Sequence, residues 1–177
     1  GWEVEVLHPG DRPVQSQRAA ENNASLVLRA HCGGPRLLLV GDLEREGEQA
    51  LLARGADLRA DVLKVSHHGS RGASHPAFLA AVRPRLAIVS AGPNPYGLPH
   101  VEALARLLRV GAVVLRTDEL GSIRVRFGRA IEVFPSLPAG GGHPAAGGLT
   151  SAAGAGTLGL KEAKDLVDNA PKPLKEG

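Results

Sequence analysis

The stretch Asp61-Val-Leu-Lys-Val-Ser-His67-His68-Gly69-Ser70 constrains the fold more than any other part of the chain. Val62 to Val65 is a short apolar, β-branched run and reads as a buried strand. It stops on two imidazoles, a glycine and a hydroxyl. A strand with that ending delivers polar groups to the rim of a sheet, where α/β folds keep their sites. A pair of surface histidines in a turn is the plain alternative.

Strand and helix patterns alternate around this stretch. Trp2 to Leu7 reads as a half-exposed strand, broken by the turn His8-Pro9-Gly10. Residues 11 to 20 are polar and loop-like. Asn22-Asn23-Ala24-Ser25 leads into a second strand, Leu26 to His31. Gly33-Gly34-Pro35 turns the chain and Leu37 to Val40 runs back, a hairpin pattern. That strand ends at Gly41-Asp42, with helical spacing from Leu43 to Arg54 and Gly55 as a stop. Asp42 has two readings. It is a helix N-cap, or a carboxylate presented at a strand end beside the His67-His68 strand.

Downstream, Ala77 to Val82 is helical, Leu86 to Ser90 is a short buried strand, and residues 92 to 100 form a loop rich in turn residues. Val101 to Val110 is helical, Val113 to Arg116 is a strand, and Ser122 to Phe127 pairs with Ala130 to Phe134. The order β-ββ-α-β-α-β-α-β-ββ implies an α/β layered domain.

The 177 residues suffice for one domain with a core plus a tail. A net charge of +3 gives no strong steering of polyanions. The single cysteine, Cys32, excludes an internal disulfide framework and a cysteine zinc cluster. No apolar run approaches a membrane span, and no signal-peptide pattern opens the sequence. Methionine is absent, so the expectation is that the sequence starts downstream of its translation start. Beyond residue 135 the character changes. Residues 136–156 are Ala/Gly-rich and read as a flexible linker. From residue 157 onward Lys161, Lys164, Lys172 and Lys175 replace arginine, whereas Lys64 is the only lysine before them. The expectation is two joined pieces of different history, a domain over 1–135 and a short helical segment over 157–177.

Four motifs, in order, carry a resemblance over residues 1–135: Asn22-Asn23-Ala-Ser25-Leu-Val-Leu, Gly41-Asp42-Leu-Glu, Leu63-Lys-Val-Ser-His67-His68-Gly69-Ser70 and Asn94-Pro-Tyr-Gly97-Leu98-Pro99-His100. Together they resemble the C-terminal metallo-β-lactamase-like domain of ComEC-type competence proteins, which act in DNA uptake. The resemblance implies the second half of an αββα sandwich, two divalent metal ions (zinc or manganese) and cleavage of nucleic-acid phosphodiesters. It implies single-stranded or duplex DNA as substrate, and as partners the upstream half of the same domain and a membrane channel region. It places the chain as a soluble domain of a bacterial inner-membrane protein, on a side of the membrane left open.

By the same resemblance Asp42 matches the carboxylate that bridges both metals, and His68 matches a metal-binding histidine. His67 then faces the phosphate or leaving group. Imidazole and carboxylate suit such ions, and a two-metal site clamps attacking and leaving oxygens. Asn23, Ser70, Arg71 and His100 are the candidate substrate-binding residues, with Lys64 near enough in sequence to help with phosphate. The HxHxDH stretch that supplies the remaining ligands is absent, which places it upstream of Gly1. Leu98 stands where the family usually has histidine. His8, His31, His75 and His143 match no ligand motif and read as ordinary surface or turn residues.

Residues 157–177 are similar to part of the C-terminal domain of the bacterial ribosomal stalk protein, in which Leu160 to Val167 belongs to a helix. Two alternatives to a metal-dependent nuclease remain. One is a non-catalytic folding module with an incomplete metal site. The other is a different phosphoester hydrolase of the same superfamily, such as a phosphorylcholine esterase-like enzyme.

Overall fold

A computed structural model describes residues 1–10 and 19–137, and the backbone of 158–159. The strands are β1 (Glu3–His8), β2 (Val27–His31), β3 (Arg36–Leu39), β4 (Val62–Lys64), β5 (Leu86–Val89), β6 (Val113–Arg116), β7 (Ile123–Phe127), β8 (Ile131–Pro135) and β9 (Leu158–Gly159). The helices are α1 (Arg45–Ala53), α2 (Pro76–Val82), α3 (Val101–Arg109) and the single turn α4 (Thr117–Leu120).

β1 to β6 form one sheet in sequence order. β1–β2–β3 pair antiparallel, and β3–β4–β5–β6 pair parallel. A parallel neighbour needs a crossover, and α1, α2 and α3 supply one each. Because each crossover steps the same way and is right-handed, all three helices land on one face. Leu38, Val40, Leu63, Val65, Ala87, Val89 and Val114 point to that face and pack with Leu51, Phe78, Leu79, Val82 and Leu107.

The opposite face holds a second core. Val62, Leu86, Val113 and Leu115 pack there against Ile131 and Val133, with Ile123, Val125 and Phe127 of β7 alongside. The β7–β8 hairpin thus covers the β4–β6 end of the sheet. β9 extends it, with Leu158 opposite Val133. Helices, six-stranded sheet and hairpin layer give the α/β class that the element order predicts.

Differences from the sequence reading are local. α1 begins at Arg45 rather than Leu43, so Asp42 does not cap it. Strand β1 is exposed on both faces from Glu3 to Val6, not half-buried; contacts from the other layers fall at its two ends, where Phe127 of the hairpin meets Trp2 at 5.3 Å between ring centroids and Arg54 bonds Leu7 O and His8. His8 is buried, not a surface residue; its Nε2 bonds Asn23 O at 2.8 Å and its Nδ1 lies 3.0 Å from Arg54 Nη2. His75 is half-buried at the start of α2, its Nδ1 3.2 Å from Glu48 Oε2. The linker beyond Leu137 and the predicted helix over Leu160 to Val167 lie outside the described residues, as does His143.

Candidate functional site at the parallel strand ends

The carboxyl ends of parallel strands are where open α/β sheets gather reactive groups. Here β3 runs into Val40-Gly41-Asp42, and β4 into Val65-Ser66-His67-His68. The two ends are tied together. His67 N–H donates to Gly41 O at 3.1 Å, and Ser66 Oγ donates to Leu43 O at 2.5 Å. Gly41 has φ +54°, and a Cβ there would meet Ser25 Cβ at 2.9 Å. Ser25 Oγ accepts the Asp42 N–H at 3.0 Å, which fixes the turn that carries the carboxylate.

His67 and His68 both adopt left-handed backbone, with φ of 44° and 54°. Such residues are costly, by about 1–3 kcal/mol each, and persist only where their surroundings hold them. Each imidazole is held through Nδ1. His68 Nδ1 donates to Ser90 O, at the end of β5, at 2.6 Å. His67 Nδ1 donates to Glu44 Oε1 at 2.5 Å. A carbonyl oxygen only accepts, so Nδ1 carries a hydrogen, and in the neutral ring the Nε2 lone pair has no partner among the described residues. His68 is exposed, and that lone pair is available to a ligand. A backbone acceptor on the far nitrogen is the usual support of a metal-binding imidazole.

Asp42 and Lys64 interact across the strand ends. Burial pushes the Lys64 ammonium below its ordinary value, and the Asp42 charge pulls it back up. Ser70 Oγ donates to Glu44 Oε1 at 2.9 Å. His100 reaches the same turn through its backbone, its N–H donating to Gly69 O at 2.9 Å. Gly69 has φ +81°, and a Cβ there would lie 2.5 Å from Pro99 Cβ. The 92–100 loop can therefore close over the histidine turn only with glycine at this position.

Two candidates stand elsewhere. Asn23 is buried, and its amide is spent on α1. Its Oδ1 accepts from Glu44 N and Gly47 N, both at 3.0 Å, and its Nδ2 donates to Glu46 Oε2 at 3.2 Å. It does the capping that the sequence assigned to Asp42, from 21 residues upstream of Glu44. Arg71 is exposed and pairs with Glu102 of α3 at 3.1 Å. Its loop is held by Arg106, whose guanidinium donates to the carbonyls of Arg71, Ala73 and Ser74.

Glu44 and Glu48 had no assigned role. Glu44 follows Asp42 by two residues, and its spacing from a known candidate was the one available signal. Glu48 is buried, and accepts from Ser74 N at 2.5 Å and His75 N at 3.0 Å. Its carboxyl is raised to about 8, chiefly by burial.

Among the described residues no group of three or more His, Cys, Asp or Glu side chains is arranged to hold a metal ion. Asp42 and His68 still suit one by donor type, with the His68 Nε2 lone pair free. No helix among the described residues is long and apolar enough to cross a membrane.

No family model matches the chain. Over 127 residues it is 42% identical to ComE operon protein 3 of Bacillus subtilis, covering 71% of this chain and 16% of that protein. Over 131 residues it is 37% identical to Competence protein ComA of Neisseria gonorrhoeae, covering 73% and 18%. Recombination protein 2 of Haemophilus influenzae is 39% identical over 128 residues, covering 72% and 16%. A separate match is short: 20 residues, 90% identical to large ribosomal subunit protein bL12 of Geobacillus stearothermophilus, 11% of this chain and 16% of that protein. The long matches show that most of this chain is similar to one part of these competence and recombination proteins, and it spans 16 to 18% of their length.

Proposed function

We propose that this chain is the second half of a metallo-β-lactamase-like, metal-dependent phosphodiesterase domain of a competence protein, acting on DNA and completed by an upstream segment. The observation that carries the reading is the convergence at the ends of β3, β4 and β5. There a fixed imidazole with a free Nε2 stands on the turn tied to the one bearing Asp42. Two left-handed histidines in succession are a strain that surrounding bonds are built to hold, and such strain gathers at functional sites.

In this reading Asp42 and His68 hold two divalent ions, zinc or manganese, with ligands from the upstream segment. When bound, the ions supply a hydroxide nucleophile at neutral pH and neutralise charge on the phosphodiester. His67 faces the phosphate or leaving group, its Nδ1–H on Glu44. Ser70 lies on the same turn, and the 92–100 loop edges the site with His100. The uncovered β1–β3 end of the sheet is where the upstream segment packs. A second reading, a non-catalytic folding module, draws on the absence of a complete ligand group among the described residues.

The test uses the full-length parent protein, with metal analysis and cleavage of single-stranded and duplex DNA. Asp42→Ala should lose both metal and turnover. His68→Ala should lower metal occupancy and rate together. His67→Ala should keep its metal and lose rate. Loss of metal in His67→Ala with retention in His68→Ala would reverse the two histidines. Full metal and full activity in Asp42→Ala would sink the hydrolase reading in favour of the folding module.

A further inference from the structure

We propose that Glu44 is a positioning residue that holds the His67 imidazole and the Ser70 hydroxyl in one fixed arrangement; its effect on turnover rests on the hydrolase reading above. One carboxylate oxygen serves both groups, accepting from His67 Nδ1 at 2.5 Å and Ser70 Oγ at 2.9 Å. Ser70 Oγ in turn accepts the Gly72 N–H at 3.1 Å, so a line of hydrogen bonds runs from the loop backbone into the carboxylate.

Glu44 is itself placed from two sides. Its N–H is bound by the buried Asn23. Its other oxygen fills the space above Gly72, where a Cβ would stand 1.9 Å from Oε2. The side chain is 14% exposed, against 30% for His67, so the bond lies out of most of the solvent that would weaken it. A carboxylate accepts and does not donate, so a hydrogen lies on His67 Nδ1, and in the neutral ring the Nε2 lone pair points away from Glu44. Without Glu44, His67 would be free to turn about its side-chain torsions or change tautomer. A carboxylate that only stapled the loop would need Ser70 and the Gly72 backbone, and would have no call on the imidazole.

Nitrogen-resolved NMR of the 177-residue chain, near pH 8 where an ordinary imidazole is neutral, reads which ring nitrogen carries hydrogen. Wild type should carry it on His67 Nδ1. In Glu44→Ala it should move mainly to Nε2, with amide dispersion retained. A wild-type His67 with hydrogen on Nε2 overturns the proposal without any variant, which covers the case in which Glu44→Ala does not fold. An unchanged tautomer in a folded Glu44→Ala overturns it as well. In the full-length parent protein, Glu44→Ala should lower kcat by about tenfold to a hundredfold at unchanged KM and metal content. Glu44→Gln, whose amide oxygen still accepts from Nδ1, should regain part of the loss. A fall in metal content with unchanged kcat per bound metal would overturn the positioning role. If wild-type parent protein cleaves no DNA with any divalent ion, the hydrolase reading fails, and the tautomer result still decides what Glu44 does to His67.

Discussion

The two faces of the six-stranded sheet come from the same strands and reach different states. Toward the helices, Leu38, Leu63, Val65, Ala87 and Val89 are fully buried. On the other face Val62 and Leu86 are equally sealed beneath the hairpin, yet Val4 and Val6 are each 60% exposed and Leu26 is 53% exposed. Right-handed crossovers cover the first face automatically, one helix per parallel step. The second face depends on a single hairpin. Strands lie roughly 4.8 Å apart, so two or three of them shade about half the width of six. Local connectivity completes one face, and only non-local cover completes the other.

The sharpest test of the sealed face is Phe78→Ala. Phe78 is fully buried between α2 and the sheet. Its truncation should cost about 3–5 kcal/mol in urea unfolding of the chain. A cost near that of a surface change would mean the helix layer is not packed as described.

The buried carboxyl at the joint of α1 and α2 is the next probe. Burial raises Glu48, with Glu44 adding to the rise, while the N–H groups of His75 and Ser74 and the Arg106 charge act against it. The folded chain therefore keeps a proton that the unfolded chain has released. Stability should fall as pH rises from about 4.5 to about 8, then level off. His75 is lowered by burial, then by Arg106 and Arg45, and contributes the opposite slope below about 6.5. The clean window is thus pH 6.5 to 8. Urea midpoints across it should decline for wild type and stay flatter for Glu48→Gln; equal slopes would assign the effect to another group.

At the margin of the helix layer, Asn23→Ala leaves the Glu44 and Gly47 N–H groups without their acceptor. The expected loss is about 1–2 kcal/mol by chemical denaturation. No change would show that solvent caps α1 as well as Asn23 does.

The smallest effect belongs to the open face. Val6→Ser should change the stability of the chain by less than about 0.5 kcal/mol. In the full-length parent protein the same change should cost more, because the upstream segment is expected to bury Val6. Equal small effects in both settings would mean that this face stays open and that the two faces differ by design rather than by incompleteness.

Much of this was legible in the chain. β-Branched runs, turn residues and helical spacing marked each of β1 to β8 and α1 to α3 to within two or three residues. The His67-His68-Gly69-Ser70 string marked the rim. The cap made by Asn23 was not legible because Glu44, whose N–H it binds, lies 21 residues later, and nothing local to either segment reports a bond across that distance. The surface reading of His8 fails on the same kind of distance, since its burial depends on Asn23 and Arg54. Glu44 was in view as part of Gly41-Asp42-Leu-Glu, but its role needs His67 and Ser70, brought to it by β4.

What the sequence determined by itself is the order of elements and the kinds of groups at their ends, because periodicity and turn chemistry are local. What only the tertiary structure decided is which of those groups meet. It put the His67 and Ser70 side chains on one carboxylate, gave His68 a carbonyl from β5, sent Arg71 to Glu102, and buried Asn23. Those pairings rest on strand register and crossover handedness, which bring together residues that no local pattern connects.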